Sequence, residues 1–189
     1  MILVQIITFL LDVAASVLGG ACLLRLYMQY QRVPFHNPIG RFVFAVTDWL
    51  ILPLRRIMPR AIAAPGGWDL SSLLAAYLIQ LVKFILLWLL VGSASSAAWL
   101  WLLALFGLLA MTISSLSSLV MVYAILSWVP INPMLGSLVD RLCAPLLAPV
   151  RRVIPPIGGV DLSALVLLVV LQVLAMLLGA VQSEVLRIG

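Results

Sequence analysis

Four long apolar runs, at 2–26, 70–91, 99–128 and 162–181, limit what this chain can become. As helices rising about 1.5 Å per residue, all can cross a hydrocarbon core of about 30 Å. A helix is the expected form, because a segment surrounded by lipid has to satisfy its own backbone polar groups. The first run has no basic residue ahead of it and is longer than the ~7–15 residues of a signal-peptide core, so it reads as a retained span. Its one early charge is Asp12, the second run carries Lys83, and the third carries no charge and is long enough to tilt.

Composition points the same way. Of the 189 residues, 65% are apolar and 9% charged, against roughly 25% charged in an ordinary soluble domain. Too few polar groups exist to coat a water-soluble body, which excludes a disordered tail, a disulfide scaffold and a typical soluble enzyme. Cys22 and Cys143 stand far apart in apolar surroundings and read as small buried hydrophobes. The net charge of +5 comes mostly from Arg. With no continuous basic stripe or interleaved aromatics, the expected partner is the lipid bilayer with its anionic headgroups, and nucleic acid is not expected.

Two linkers, 27–69 and 129–161, separate the spans in pairs. Their stretches 39–54 and 133–150 are nearly uncharged and broken by proline, so each predicts an interfacial or re-entrant amphipathic helix. Residues 92–98 form a short polar hairpin. Arg25, Arg32, Arg41, Arg55, Arg56 and Arg60 cluster in or beside the first linker, and Arg141, Arg151 and Arg152 in the second. The positive-inside rule places both linkers in the cytoplasm and both termini in the periplasm.

The linkers also match one another. Asn37-Pro38 pairs with Asn132-Pro133; the Pro-x-Arg-Arg-x-x-Pro segment containing Arg55-Arg56 pairs with the one containing Arg151-Arg152; Gly-Gly-x-Asp69-Leu-Ser71 pairs with Gly-Gly-x-Asp161-Leu-Ser163. Gln80 and Gln172 each follow nine residues after the matched serine, and the offset stays between 92 and 96 residues. The expected fold class is therefore an all-α membrane protein of four transmembrane helices. They form two parallel two-span repeats, 1–98 and 99–189, each with an interfacial helix in its linker.

These motifs, over nearly the whole chain, resemble the YggT family, or YGGT-repeat family. Members usually carry a Thr-Asp-Pro-like tripeptide before the Arg-Arg element; here the positions read Thr47-Asp48-Trp49 and Cys143-Ala144-Pro145, and Arg25 has Val120 as its counterpart. The resemblance implies a small integral protein of bacterial inner or plastid membranes. It carries associations with osmotic tolerance, cell division or nucleoid organisation, and cytochrome maturation, but no agreed molecular activity.

Local chemistry assigns roles to individual residues. Asn37-Pro38 and Asn132-Pro133 suit helix starts, Asn as N-cap and Pro at the first position. Asp69 and Asp161 are placed to cap spans two and four, or alternatively to pair with the nearby Arg residues and lock each linker shut. Arg55, Arg56, Arg151 and Arg152 are candidate contacts for lipid phosphates or a protein partner. Asp12 and Lys83 each lie thirteen residues from a span end, about 20 Å deep, and are expected to pair because an unpaired charge there is costly. Gln80 and Gln172 form a candidate intramembrane polar pair. Ala110, Ser114 and Ser118 read as a close-packing seam, and Trp49, Trp68, Trp99 and Trp101 as interfacial anchors.

His36 is the only histidine, and no nucleophile–base set, metal cluster or phosphate loop accompanies it. No enzymatic activity and no cofactor are expected. Two roles remain: a contribution to osmotic or ion homeostasis, and a membrane scaffold or assembly factor presenting Arg-rich linkers. Either can involve a homo-oligomer or another membrane protein. For topology, a cysteine placed at Ser95 should label from outside the cell and one at Ile62 from the cytoplasm; the reverse pattern overturns the orientation.

Overall fold

A computed structural model describes residues 2–33, 37–57, 69–91, 99–127, 133–152 and 162–188. Among them every regular element is helical: α1 (Ile2–Tyr30), α2 (Pro38–Ile57), α3 (Leu70–Val91), α4 (Leu100–Leu126), α5 (Pro133–Arg151) and α6 (Leu162–Ile188). Four of these, α1, α3, α4 and α6, are long and apolar enough to cross a membrane. The architecture is that of a multi-pass all-α membrane protein. The hairpin at 92–98, Asn132, Asp161, Trp68 and both Gly-Gly turns lie outside the described residues.

The chain forms two compact units, Met1–Thr112 and Ile113–Gly189, divided inside α4. In the first, α1 packs along α3, and α2 lies against both. Its core gathers Cys22 and Leu23 of α1, Ile51 of α2, Ala75 and Ala76 of α3, and Leu108 and Met111 of α4. The small residues let backbones approach where lipid supplies no hydrophobic drive between helices. Gly19 receives the Met111 thioether. Gly107 is packed so closely that a Cβ there would fall 2.8 Å from the Phe84 ring and 3.0 Å from Gln80 Oε1. The Tyr77 hydroxyl adds a bond to the Trp101 carbonyl at 3.1 Å. In the second unit α5 packs on α6, and Val120, Tyr123, Val139, Cys143, Leu147 and Ala164 make the core.

Helix ends follow local chemistry. Asn37 Oδ1 accepts from the Gly40 amide at 2.6 Å, the N-cap bond that starts α2. α1 runs four residues past the expected span end and stops at a Schellman turn: Val33 N–H reaches Met28 O and Arg32 N–H reaches Gln29 O, both at 3.0 Å. Arg32 takes the left-handed position with φ 52°, where glycine is usual. The buried Val33 and Met28 provide the apolar contact that accompanies this motif.

Burial in α2 recurs at Val43, Thr47 and Ile51, and in α5 at Val139, Cys143 and Leu147. Four-residue spacing keeps each set on one helix face. The internal prolines, Pro53, Pro145 and Pro149, sit on exposed positions. One expectation needs correction: Ala110, Ser114 and Ser118 are exposed, and α4 buries Ala104, Leu108, Met111, Val120 and Tyr123 instead. The contacts at Gly107 and Met111 set the rotation of the first half of α4, and they turn Ala110 outward.

Gly107→Val should destabilise the first unit by about 1–3 kcal/mol through overpacking, read from reversible unfolding in mixed micelles. Gly179→Ala, where a Cβ meets open space, should cause no loss.

Candidate functional site

Arg25 sits on α1 close to its C-terminal end and is 2% exposed. A guanidinium taken out of water needs partners, and α2 supplies two. Its Nη1 donates to Thr47 Oγ1 at 2.8 Å and to Asp48 Oδ1 at 2.7 Å. Thr47 in turn donates its hydroxyl proton to the Val43 carbonyl at 2.7 Å, which fixes its oxygen as an acceptor for Arg25. The Phe44 ring lies under the guanidinium, 4.4 Å from Cζ to centroid.

Asp69 closes the arrangement from the start of α3. Its Oδ2 accepts from Arg55 Nη2 at 2.6 Å and from the Ser72 hydroxyl at 2.7 Å, and stands 4.0 Å from Arg25 Nε. That nitrogen is buried and has no hydrogen-bond partner among the described residues. Two arginines and two aspartates thus join α1, α2 and α3 in a neutral set. The helix dipoles favour it, with Arg25 near the negative end of α1 and Asp69 at the positive end of α3.

Burial pushes the Asp69 carboxyl up, but the bonds from Ser72 and Arg55 and the charges of Arg55 and Arg25 outweigh it. The net effect holds the carboxyl below the ordinary carboxylate value. It therefore stays ionised near neutral pH and is not poised for proton transfer. In the second unit, burial pushes the Cys143 thiol up to about 12, so it is not a ready nucleophile. Its Sγ instead points at the Leu119 carbonyl, 3.7 Å away.

The structure brings Asp12 and Lys83 together: Lys83 Nζ lies 2.9 Å from Asp12 Oδ1, tying α1 to α3. Asn37 caps α2 as described. Asp69 occupies the residue before α3, with its carboxylate directed to Ser72, Arg55 and Arg25. Each Arg-Arg pair divides its duties. Arg55 donates to Asp69 and Arg151 to the Tyr123 hydroxyl, both at 2.6 Å, although all four arginines, Arg56 and Arg152 included, are exposed. Gln80 is buried, and its Oε1 has no hydrogen-bond partner among the described residues; Gln172, in the other unit, is exposed. Pro38 and Pro133 open α2 and α5.

The pairing of Asp69 with a nearby arginine is found at Arg55; the grip of Arg25 on Thr47 and Asp48 is what the sequence reading missed. The available signal was an arginine inside an apolar helix whose counterpart is Val120, together with the polar Thr47-Asp48 step. At the positions that the sequence offset matches to Arg25 and Thr47, the second unit buries Val120 and Cys143.

Arg25→Met should cost about 3–5 kcal/mol, because it strands buried acceptors. Replacing the set together, as Arg25→Val, Asp48→Ala and Asp69→Asn, should cost less than that single change. Asp69 binds its proton more weakly folded than unfolded. Its contribution is therefore complete above about pH 3.9 and is lost as the pH falls through the lower folded value. Asp69→Asn should remove that acid step from the stability profile.

Comparison with known proteins places these residues in context. The CCB3/YggT family model matches residues 4–90 and again 102–182. An uncharacterized protein in the proC 3′ region of Vibrio alginolyticus is 36% identical over 179 residues, covering 91% of this chain and 92% of its own. The uncharacterized protein YggT of Escherichia coli K12 is 37% identical over 175 residues, covering 90% and 87%. An uncharacterized protein of Pseudomonas aeruginosa is 36% identical over 175 residues, covering 89% and 86%. No solved structure matches.

Proposed function

The chain belongs to the CCB3/YggT family, and from that membership we propose a non-enzymatic membrane scaffold that holds a clamped amphipathic helix on the cytoplasmic surface of the inner membrane. The clamping of α2 carries this reading. Arg25 grips its middle through Thr47 and Asp48, and Arg55 ties its end to Asp69. The opposite face leaves Phe42, Trp49 and Leu52 exposed, at 61%, 62% and 51%, with Arg41 and Arg56 also exposed. Apolar and basic groups together suit the boundary between acyl chains and anionic headgroups. Trp49 fits that level, its Nε1 bonded to Val46 O at 2.7 Å.

The same reading takes the chain as two repeats. Supporting it are the two separate family matches and the burial of Val43, Thr47 and Ile51 alongside Val139, Cys143 and Leu147, 96 residues apart. Among the described residues, α2 carries large apolar side chains on its outer face, whereas α5 exposes Ser137, Asp140, Arg141, Ala144 and Ala148 there. The first copy is the lipid-engaged half, and the second presents Arg152 and a polar face to water or to a protein.

A contribution to osmotic or ion homeostasis needs a path for a solute. The charges of Asp12 and Lys83 neutralise each other across 2.9 Å, which leaves no net charge to line a solute path and favours the scaffold.

Spin labels at positions 42, 49 and 52 in proteoliposomes should be reached by oxygen and shielded from a water-soluble relaxant, more deeply with anionic lipid. Full exposure of position 49 to the aqueous reagent overturns the reading. Ion flux through the purified protein after an osmotic step, lost in Asp12→Asn/Lys83→Met, would replace it with permeation.

A further inference from the structure

The Asp12–Lys83 pair lies in the spanning parts of α1 and α3, yet it is not enclosed. Side-chain exposure is 50% for Asp12 and 17% for Lys83. Around Asp12, α1 presents Phe9, Leu10, Val13 and Val17, exposed at 65%, 58%, 43% and 52%. An apolar helix face is ordinary lipid contact. A half-exposed carboxylate on that face is not, because acyl chains donate no hydrogen bond.

The hydrogen-bonding capacity of the pair is largely unspent. A carboxylate offers about four acceptor sites and an ammonium three donors. Among the described residues, Lys83 donates to Asp12 alone and otherwise faces the Phe84 ring, 4.9 Å from Nζ to centroid. Whatever covers this face should supply a donor for Asp12 and an acceptor for Lys83 at the same depth. A second copy of the chain supplies both. Two copies related by a two-fold axis beside α1 would set two carboxylates and two ammoniums in alternation, with no net charge. Residues at positions 9, 12, 13 and 16 share one stripe of α1, at the spacing a helix–helix seam uses.

We propose that this chain self-associates through the Phe9–Val13 face of α1, and that the two Asp12–Lys83 ion pairs share donors and acceptors across the interface. Lipid or a different protein on that face is the rival occupant. The proposal stands apart from the α2 scaffold reading, which does not depend on how many copies assemble.

The test is energy transfer between donor- and acceptor-labelled full-length chains in liposomes, over a range of protein-to-lipid ratios. The wild type should show transfer that saturates as a dimer. Asp12→Asn/Lys83→Met should raise the half-association mole fraction at least ten-fold. The exchange Asp12→Lys/Lys83→Asp should stay within about three-fold of wild type, since alternation of charge is kept. A second measurement leaves the charges intact: Val13→Cys should form an oxidative dimer, and Val169→Cys on the exposed face of α6 should not. This serves even where a charge variant fails to fold. A wild type that stays monomeric at every ratio overturns the proposal, as does a dimer indifferent to the neutral double variant. Cross-linking at 169 in place of 13 overturns it as well.

Discussion

A guanidinium buried at the end of a membrane helix is the constraint around which the first unit is built. Leaving Arg25 unpaired would cost several kcal/mol, and no single helix offers it enough acceptors. Thr47 and Asp48 reach it from α2, and Asp69 approaches it from the start of α3. Once α2 is drawn in, Val43 and Ile51 are buried beside Thr47. Once Asp69 is drawn in, it gathers Arg55 and Ser72. The neutral cluster fixes where the linker helix lies and which face it turns outward.

The second unit buries apolar and neutral groups in its core, Val120 and Cys143 among them, and Arg151 donates to the Tyr123 hydroxyl. Buried ion sets commonly add little stability over well-packed apolar groups, so the charged version brings specificity. It admits one register of α2 against α1 and α3, because sliding the helix by a turn would strand Arg25. A precisely held amphipathic helix is what a scaffold needs.

Asp12 and Lys83 obey the same rule at greater depth, where water cannot help and charges have to answer one another. Their pairing satisfies the Coulombic demand and leaves hydrogen-bonding capacity over. The Arg25 cluster, by contrast, draws its partners from three helices, with Nη1 of Arg25 bonded to Thr47 and Asp48 and Oδ2 of Asp69 accepting from Arg55 and Ser72. One site is closed within the chain, and the other remains open on its surface.

The sequence by itself determined the four spans, the starts of the linker helices and the partnership of Asp12 with Lys83 as an expectation of depth. These follow from local quantities: run length against bilayer thickness, the capping chemistry of Asn37, and distance counted along a helix. It did not determine that Arg25 belongs with Thr47 and Asp48, that Arg55 is the one of its pair to reach Asp69, or that Ala110, Ser114 and Ser118 face away from the packed core. Those depend on the rotation of each helix about its own axis. In so apolar a chain hydrophobic periodicity barely marks a preferred face, so rotation is decided by contacts between helices: a methionine into Gly19, a ring against Gly107, a buried arginine finding its oxygens.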